Sequence, residues 1–150
     1  MFLTGTCEIA AALLRSGVAV RLPVSGRSMR PLVRAEGVVR VVPASWPPRL
    51  GEVILYRLAS GRLVVHRVVR RAEEQVWTKG DAFLTEDSPV SASQLLGRVA
   101  AIERPVFIPL ESAGARLAGR FLAWLYPRLV ALKMRSVSRL DSIRAQGTRS

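Results

Sequence analysis

Apolar positions recur with two different periods along this chain. Alanines and leucines crowd residues 8–15 ahead of Gly17, a composition and stop signal that predict a short helix. Short runs rich in β-branched residues follow at 18–24, 38–42, 53–58, 62–70, 75–79 and 98–103. Gly and Pro punctuate them: Ala59-Ser60-Gly61 predicts a tight hairpin, and Trp46-Pro47-Pro48 a stiff connection. Many short strands with such turns predict a mainly β fold, an antiparallel, barrel-like core behind a short N-terminal helix. After Ser112 the period lengthens. Leu117, Phe121, Trp124 and Leu125 follow the i, i+4, i+7, i+8 spacing of a helix face, and Pro127 is expected to kink or break it. The pattern thus divides the chain into a β domain, 1–104, and a basic amphipathic helical tail, 105–150.

Composition narrows the class. A chain of 150 residues with 49% hydrophobic content suits one domain with a real core and excludes general disorder. The single Cys7 rules out an intrachain disulfide, and one histidine with one distant cysteine makes no zinc pattern. No metal or cofactor is therefore expected. The net charge of +12 points to an anionic surface, a nucleic acid or an acidic partner, and +7 of it lies in 112–150.

Residues 1–8 carry no basic side chain, the apolar run 9–14 is short for a signal-peptide core, and no run reaches about 18 apolar residues. The expectation is a peripheral membrane-associated or cytoplasmic protein. The segment 112–140 has the composition of a helix lying in the headgroup region of an anionic membrane, and equally that of a helix packed on the β core with solvated arginines. Nucleic acid is the disfavoured partner, since no helix-turn-helix precedes the core.

Candidate chemistry centres on Ser25-Gly26-Arg27-Ser28-Met29-Arg30-Pro31. A serine is a weak nucleophile unless a base takes its proton and fixed N–H dipoles hold the oxyanion. Gly26 permits close backbone approach and Pro31 stiffens the exit, although a bare surface turn has the same composition. His66 is the sole histidine, placed by strand alternation with Val64 and Val68.

Further blocks follow in order: Gly51-Glu52-Val53, His66-Arg67-Val68, Lys79-Gly80-Asp81 and Gly97-Arg98-Val99. With Ser28-Met29-Arg30-Pro31 they resemble, over about residues 22–104, the signal peptidase family of serine endopeptidases. The resemblance implies a β-rich peptidase core and cleavage of an extended peptide or protein precursor with small side chains near the scissile bond. It makes Ser28 the nucleophile and His66 the general base. Bacterial-type members usually have lysine at the latter place, whereas endoplasmic-reticulum and archaeal types have histidine.

An imidazole takes up a proton near neutrality without the desolvation a lysine base requires. In the histidine-type relatives an acidic pair follows Lys-Gly-Asp, and its second acid completes the catalytic set; here that is Asp87. Asp81 is then expected to hold the turn. Ala82 and Phe83 stand where the family commonly has asparagines. Oxyanion support is assigned to the Ser28 N–H with Gly26. Ser25 offers a hydroxyl, at an offset different from that of the donor serine in some relatives. Lys79 reads as a solvated turn residue, with a Ser28–Lys79 dyad as the rival base. The other class of function is a catalytically idle peptidase-fold module that binds peptide, membrane or nucleic acid through its tail. The usual signal peptidases carry a spanning helix near the N-terminus, and none is evident here.

Overall fold

The alanine- and leucine-rich start forms helix α1, Thr4–Arg15, which ends where Gly17 takes a φ of 88°. The computed structural model describes residues 4–33, 37–104 and 108–146, with side chains described over 7–33, 37–103, 108–129 and 131–132. The β-branched runs become strands β1 (Val20–Val24), β2 (Gly37–Val42), β3 (Val53–Arg57), β4 (Leu63–Arg71), β5 (Gln75–Lys79), β6 (Val90–Ser91), β7 (Leu95–Arg104) and β8 (Ile108–Pro109). They make one antiparallel sheet in the order β1-β2-β7-β3-β4-β5-β6, with β8 beside β7. The sheet curls into a half-barrel, with β1 and β6 as the ends of the path, so the mainly β, barrel-like expectation holds while the curl stops short of closure.

Strand alternation gives the sheet two apolar faces. One packs against α1 through Cys7, Ala10 and Leu14, with Leu22, Val39, Val41, Leu55, Val99 and Ile102 buried against them. A smaller cluster on the opposite face holds Ile54, Tyr56, Val68, Val76 and Val90. His66 pairs with Ile54 and Val68 with Thr78, so both His66 and Thr78 point to the side of this second cluster.

Helix α2, Ala113–Gln146, continues through Pro127. The expected break at Pro127 is absent, and the local hydrogen bonding gives the reason. Proline brings no N–H to the carbonyl four residues earlier, here that of Ala123. Lys79 Nζ donates to that carbonyl at 2.7 Å, so the β sheet supplies the missing donor. Lys79 is accordingly half-buried under α2 rather than the solvated turn residue expected. The helix docks through small residues: Gly119, Ala123 and Pro127, at i, i+4 and i+8, are buried. Several large apolar residues face the other way: Leu117, Phe121, Trp124, Leu129 and Leu132 are all 52–66% exposed, while Leu122, Leu125 and Tyr126 are half-buried. No helix among the described residues is long and apolar enough to cross a membrane.

Candidate active site

Ser28 sits on a turn anchored from both sides by the core. Met29 and Val33 are 5% and 4% exposed, and Val33 N donates to Met29 O at 2.9 Å. Upstream, Gly26 takes a φ of 117°, in the region that L side chains rarely adopt. A Cβ there meets nothing within 4 Å, so conformation rather than space demands glycine. Ser25 and Gly26 are exposed and Ser28 is half-buried.

The turn closes on the end of β5. Ala82 N donates to Ser28 O at 2.8 Å, and a Cβ built on Gly80 would lie 2.8 Å from Ser28 O and 3.0 Å from Ser28 Cβ. Backbone cannot yield as a flexible side chain can, so Gly80 is the residue that lets Ser28 approach. Gly80→Ala is expected to cost about 1–3 kcal/mol, as overpacking does, and to displace the serine. Denaturant unfolding checks the first, and an unperturbed midpoint would show that the turn moves freely. The β4–β5 ladder pairs Arg67 with Lys79; carried one residue further, that register sets Gly80 opposite His66. Ser28 thus packs on the residue across from the imidazole. No hydrogen bond joins Ser28 Oγ to His66 among the described residues.

His66 is 8% exposed, and its Nδ1 lies 2.6 Å from Asp87 Oδ2. The carboxylate is pinned in its turn. Asp87 N donates to Thr78 O at 2.8 Å, the Thr78 hydroxyl lies 2.7 Å from Oδ2, and Tyr56 Oη donates to Oδ2 at 3.3 Å. Burial pushes the Asp87 carboxyl up, but hydrogen bonds from His66 and Thr78, with the nearby imidazole, outweigh it and hold the group below the usual carboxylate range. Tyr56 moves the other way: burial above all raises its phenol to about 12, so it remains a neutral donor. With Nδ1–H directed at Asp87, the lone pair sits on Nε2. That is the tautomer a general base needs.

The depressed Asp87 pKa fixes the sign of a pH effect. The carboxylate contributes stability that is present above the unfolded-state value of about 3.9 and is lost as pH falls through the lower folded-state value. The stability difference between the natural chain and Asp87→Asn should therefore shrink on acidification from neutral pH through that window. Urea midpoints measured across the acid range check this, and a difference that grows on acidification contradicts it.

Asp81 does something other than cap its own turn. Both of its oxygens bind Arg67, Oδ1 from Nε at 2.8 Å and Oδ2 from Nη2 at 2.7 Å, with the two side chains 0% and 1% exposed. Burial pushes the carboxyl up, against the guanidinium that holds it down. Arg67 Nη1 donates to Gly51 O at 2.8 Å, and a Cβ on Gly119 of α2 would collide with the same guanidinium. Of the two acids considered, it is Asp87 that meets His66.

Lys79 lies on the opposite side of β5 from Thr78, and its ammonium is engaged by Ala123 O. Burial lowers its pKa. No hydrogen bond links it to Ser28 among the described residues. The residues that the motifs did not single out are Tyr56, Thr78 and Arg67. Arg67 stands inside a quoted block, Thr78 next to one and Tyr56 three residues beyond one, and their signal is a polar side chain in an otherwise apolar strand.

The loop after Asp81 differs from a polar asparagine loop. Phe83 sets its ring edge-on to His66, with centroids 6.3 Å apart, and is 48% exposed beside Leu84 at 59%. One apolar side chain, Phe83, therefore flanks the imidazole, whereas Leu84 lines a cleft with Lys79 and Trp124. Among the described residues no group of three or more His, Cys, Asp or Glu is placed to hold a metal ion. Comparisons with family models, with curated proteins and with solved structures match this chain to none of them.

Proposed function

We propose that this chain is a serine endopeptidase resembling signal peptidases, which cuts an extended peptide or protein precursor through an acyl-enzyme on Ser28. The observation that carries the reading is the His66 Nδ1–Asp87 contact of 2.6 Å, made by a histidine that lies directly across the β4–β5 register from Gly80, the residue on which Ser28 packs. In this reading Ser28 Oγ attacks the scissile carbonyl carbon while His66 Nε2 takes the hydroxyl proton. The C–N bond breaks as that proton passes to the leaving amine. A water then adds to the ester carbon, His66 takes its proton and returns one to Ser28 Oγ, and the acid product departs. Asp87 holds the imidazole and balances its charge.

The Ser28 N–H is the donor best placed to follow the oxyanion, with Gly26 shaping the turn. Among the described residues β1 pairs with β2 alone, and its other edge, which leads into Ser25, supports binding of the substrate as an added strand. The protein then acts either at a membrane surface as a peripheral protein or in the cytoplasm.

Labelling with a serine-acylating fluorophosphonate, followed by mass spectrometry, tests the reading. An adduct on Ser28 that Asp87→Asn slows by about 10²–10⁴-fold is expected, since the amide favours the wrong tautomer. Absence of any adduct favours the catalytically idle module that binds peptide, membrane or nucleic acid through its tail, a reading supported by the lack of a Ser28 Oγ–His66 hydrogen bond among the described residues.

A further inference from the structure

The most unusual surface on the molecule is the outward side of α2. A docked helix ordinarily buries its large apolar residues and exposes its small and polar ones. Here Gly119, Ala123 and Pro127 are buried while Leu117, Phe121 and Trp124 are 66%, 61% and 52% exposed. Phe121 and Trp124 stack, with centroids 6.1 Å apart, and Arg128 lies over the indole at 4.3 Å. Arg128 therefore sets a cation within the apolar stripe, between Trp124 and Leu132.

Beside the stripe, a cleft of about 290 Å³ opens between the end of β5 and α2. Lys79, Arg120, Arg128 and Trp124 line it, with Glu86 as the acid present. Glu86 is taken up by Arg70 at 3.1 Å, whereas Lys79, Arg120 and Arg128 make no ion pair among the described residues. Lys79 spends one donor on Ala123 O, and an ammonium has three. Three cations thus surround a space next to an exposed aromatic pair. Burial of Lys79 disfavours its charge, a cost that a bound anion would offset.

We propose that this cleft binds the phosphate of an anionic phospholipid while Leu117, Phe121 and Trp124 enter the boundary between headgroups and acyl chains. Phosphate oxygens accept from an ammonium and from planar guanidinium forks, and a tetrahedral phosphate has enough acceptors to meet three cations at once. The adjacent apolar stripe assigns it to a lipid rather than to a free phosphate. A helix held by its small residues against the sheet, with its large apolar residues outward, lies parallel to the surface it meets. The inference does not depend on Ser28 being a nucleophile.

Vesicle sedimentation of the full chain tests it at low salt. Binding is expected to vesicles containing phosphatidylglycerol and to be weaker on pure phosphatidylcholine. General attraction predicts about a fivefold loss for each charge removed, wherever it lies near the surface. A specific cleft predicts more: R120Q/R128Q should lose at least about tenfold more than R21Q/R62Q, a pair of exposed arginines outside α2. F121S/W124S should abolish binding with the helical circular dichroism retained.

Equal losses from the two arginine pairs overturn the cleft and leave only diffuse charge. Displacement by millimolar inorganic phosphate overturns the lipid as the source of the anion. Tighter binding to a short RNA than to any vesicle overturns the membrane.

Discussion

Replacing Ser28 by alanine is expected to lower peptide cleavage by about 10³-fold or more, in a protein that folds as before. The fold part follows from which atoms hold the turn. Ser28 contributes its carbonyl to Ala82 N, while Met29 and Val33 bury the anchoring side chains. None of these involves Oγ, so the variant should stay within about 0.5 kcal/mol of the natural chain in urea unfolding.

The activity part follows from the covalent step. Without Oγ no acyl-enzyme forms, and only positioning and oxyanion donors remain. His66→Ala should fall about as far, and the double variant little further, because a nucleophile and its base act as one unit. Lys79→Ala supplies the contrast. Its ammonium serves the Ala123 carbonyl, so that variant should loosen α2 yet keep most of the cleavage rate. A Ser28→Ala protein that cleaves at the natural rate would remove the nucleophile assignment; a dead Lys79→Ala beside an active His66→Ala would give the base to lysine.

The largest expected effect on stability comes from Arg67. Arg67→Met leaves the Asp81 carboxylate without its partner where the side chain is 0% exposed, and breaking one side of a buried pair costs about 3–5 kcal/mol. For a chain of 150 residues each kcal/mol lowers Tm by about 2–4 °C, so a fall of roughly 10 °C is expected. Replacing both partners, Arg67→Met with Asp81→Leu, should recover a substantial part, because the cost lies in the stranded charge and not in loss of a net attraction.

Activity should drop in the single variant even below its melting range. Asp81 sits on the turn whose Ala82 N holds Ser28 O, and Arg67 ties that turn to Gly51 O and packs beneath Gly119. Thermal unfolding of the two singles and the double decides the matter. Three similar curves would mean that water reaches the pair and that α2 does not seal it.

Local pattern carried most of the secondary structure. Gln75–Lys79 has the same bounds in the sequence reading and in the structure, and the hairpin across Ala59-Ser60-Gly61 joins β3 to β4 as expected. Both depend on interactions between near neighbours, and alternation of Val with polar residues expresses them directly. Strand ends were less legible. β7 starts at Leu95 and not at residue 98 because its first residues pair with β3, forty residues away in sequence, and their own composition carries no trace of that partner.

Legible in the sequence alone were the elements and the chemistry available to them: an antiparallel β core, one histidine on a known strand face, and a serine turn with a glycine upstream; that Gly26 must be glycine followed only from its φ of 117°. Which acid serves that histidine was decided by tertiary structure. Asp81 and Asp87 lie six residues apart on one loop, and only the pairing of β4 with β5 directs Asp81 to the Arg67 side and Asp87 to the His66 side. The same holds for Pro127. Its missing N–H breaks a helix when judged locally, yet a strand 44 residues from Ala123 supplies Lys79 to the vacated carbonyl. The orientation of α2 also lay outside the local pattern, since Gly51 leaves room for α2 at Arg116 and Arg120 and Gly119 leaves room for the Arg67 guanidinium. In each case the deciding partner is distant along the chain and close in space, so hydrogen-bond satisfaction and burial select an arrangement that local propensity leaves open.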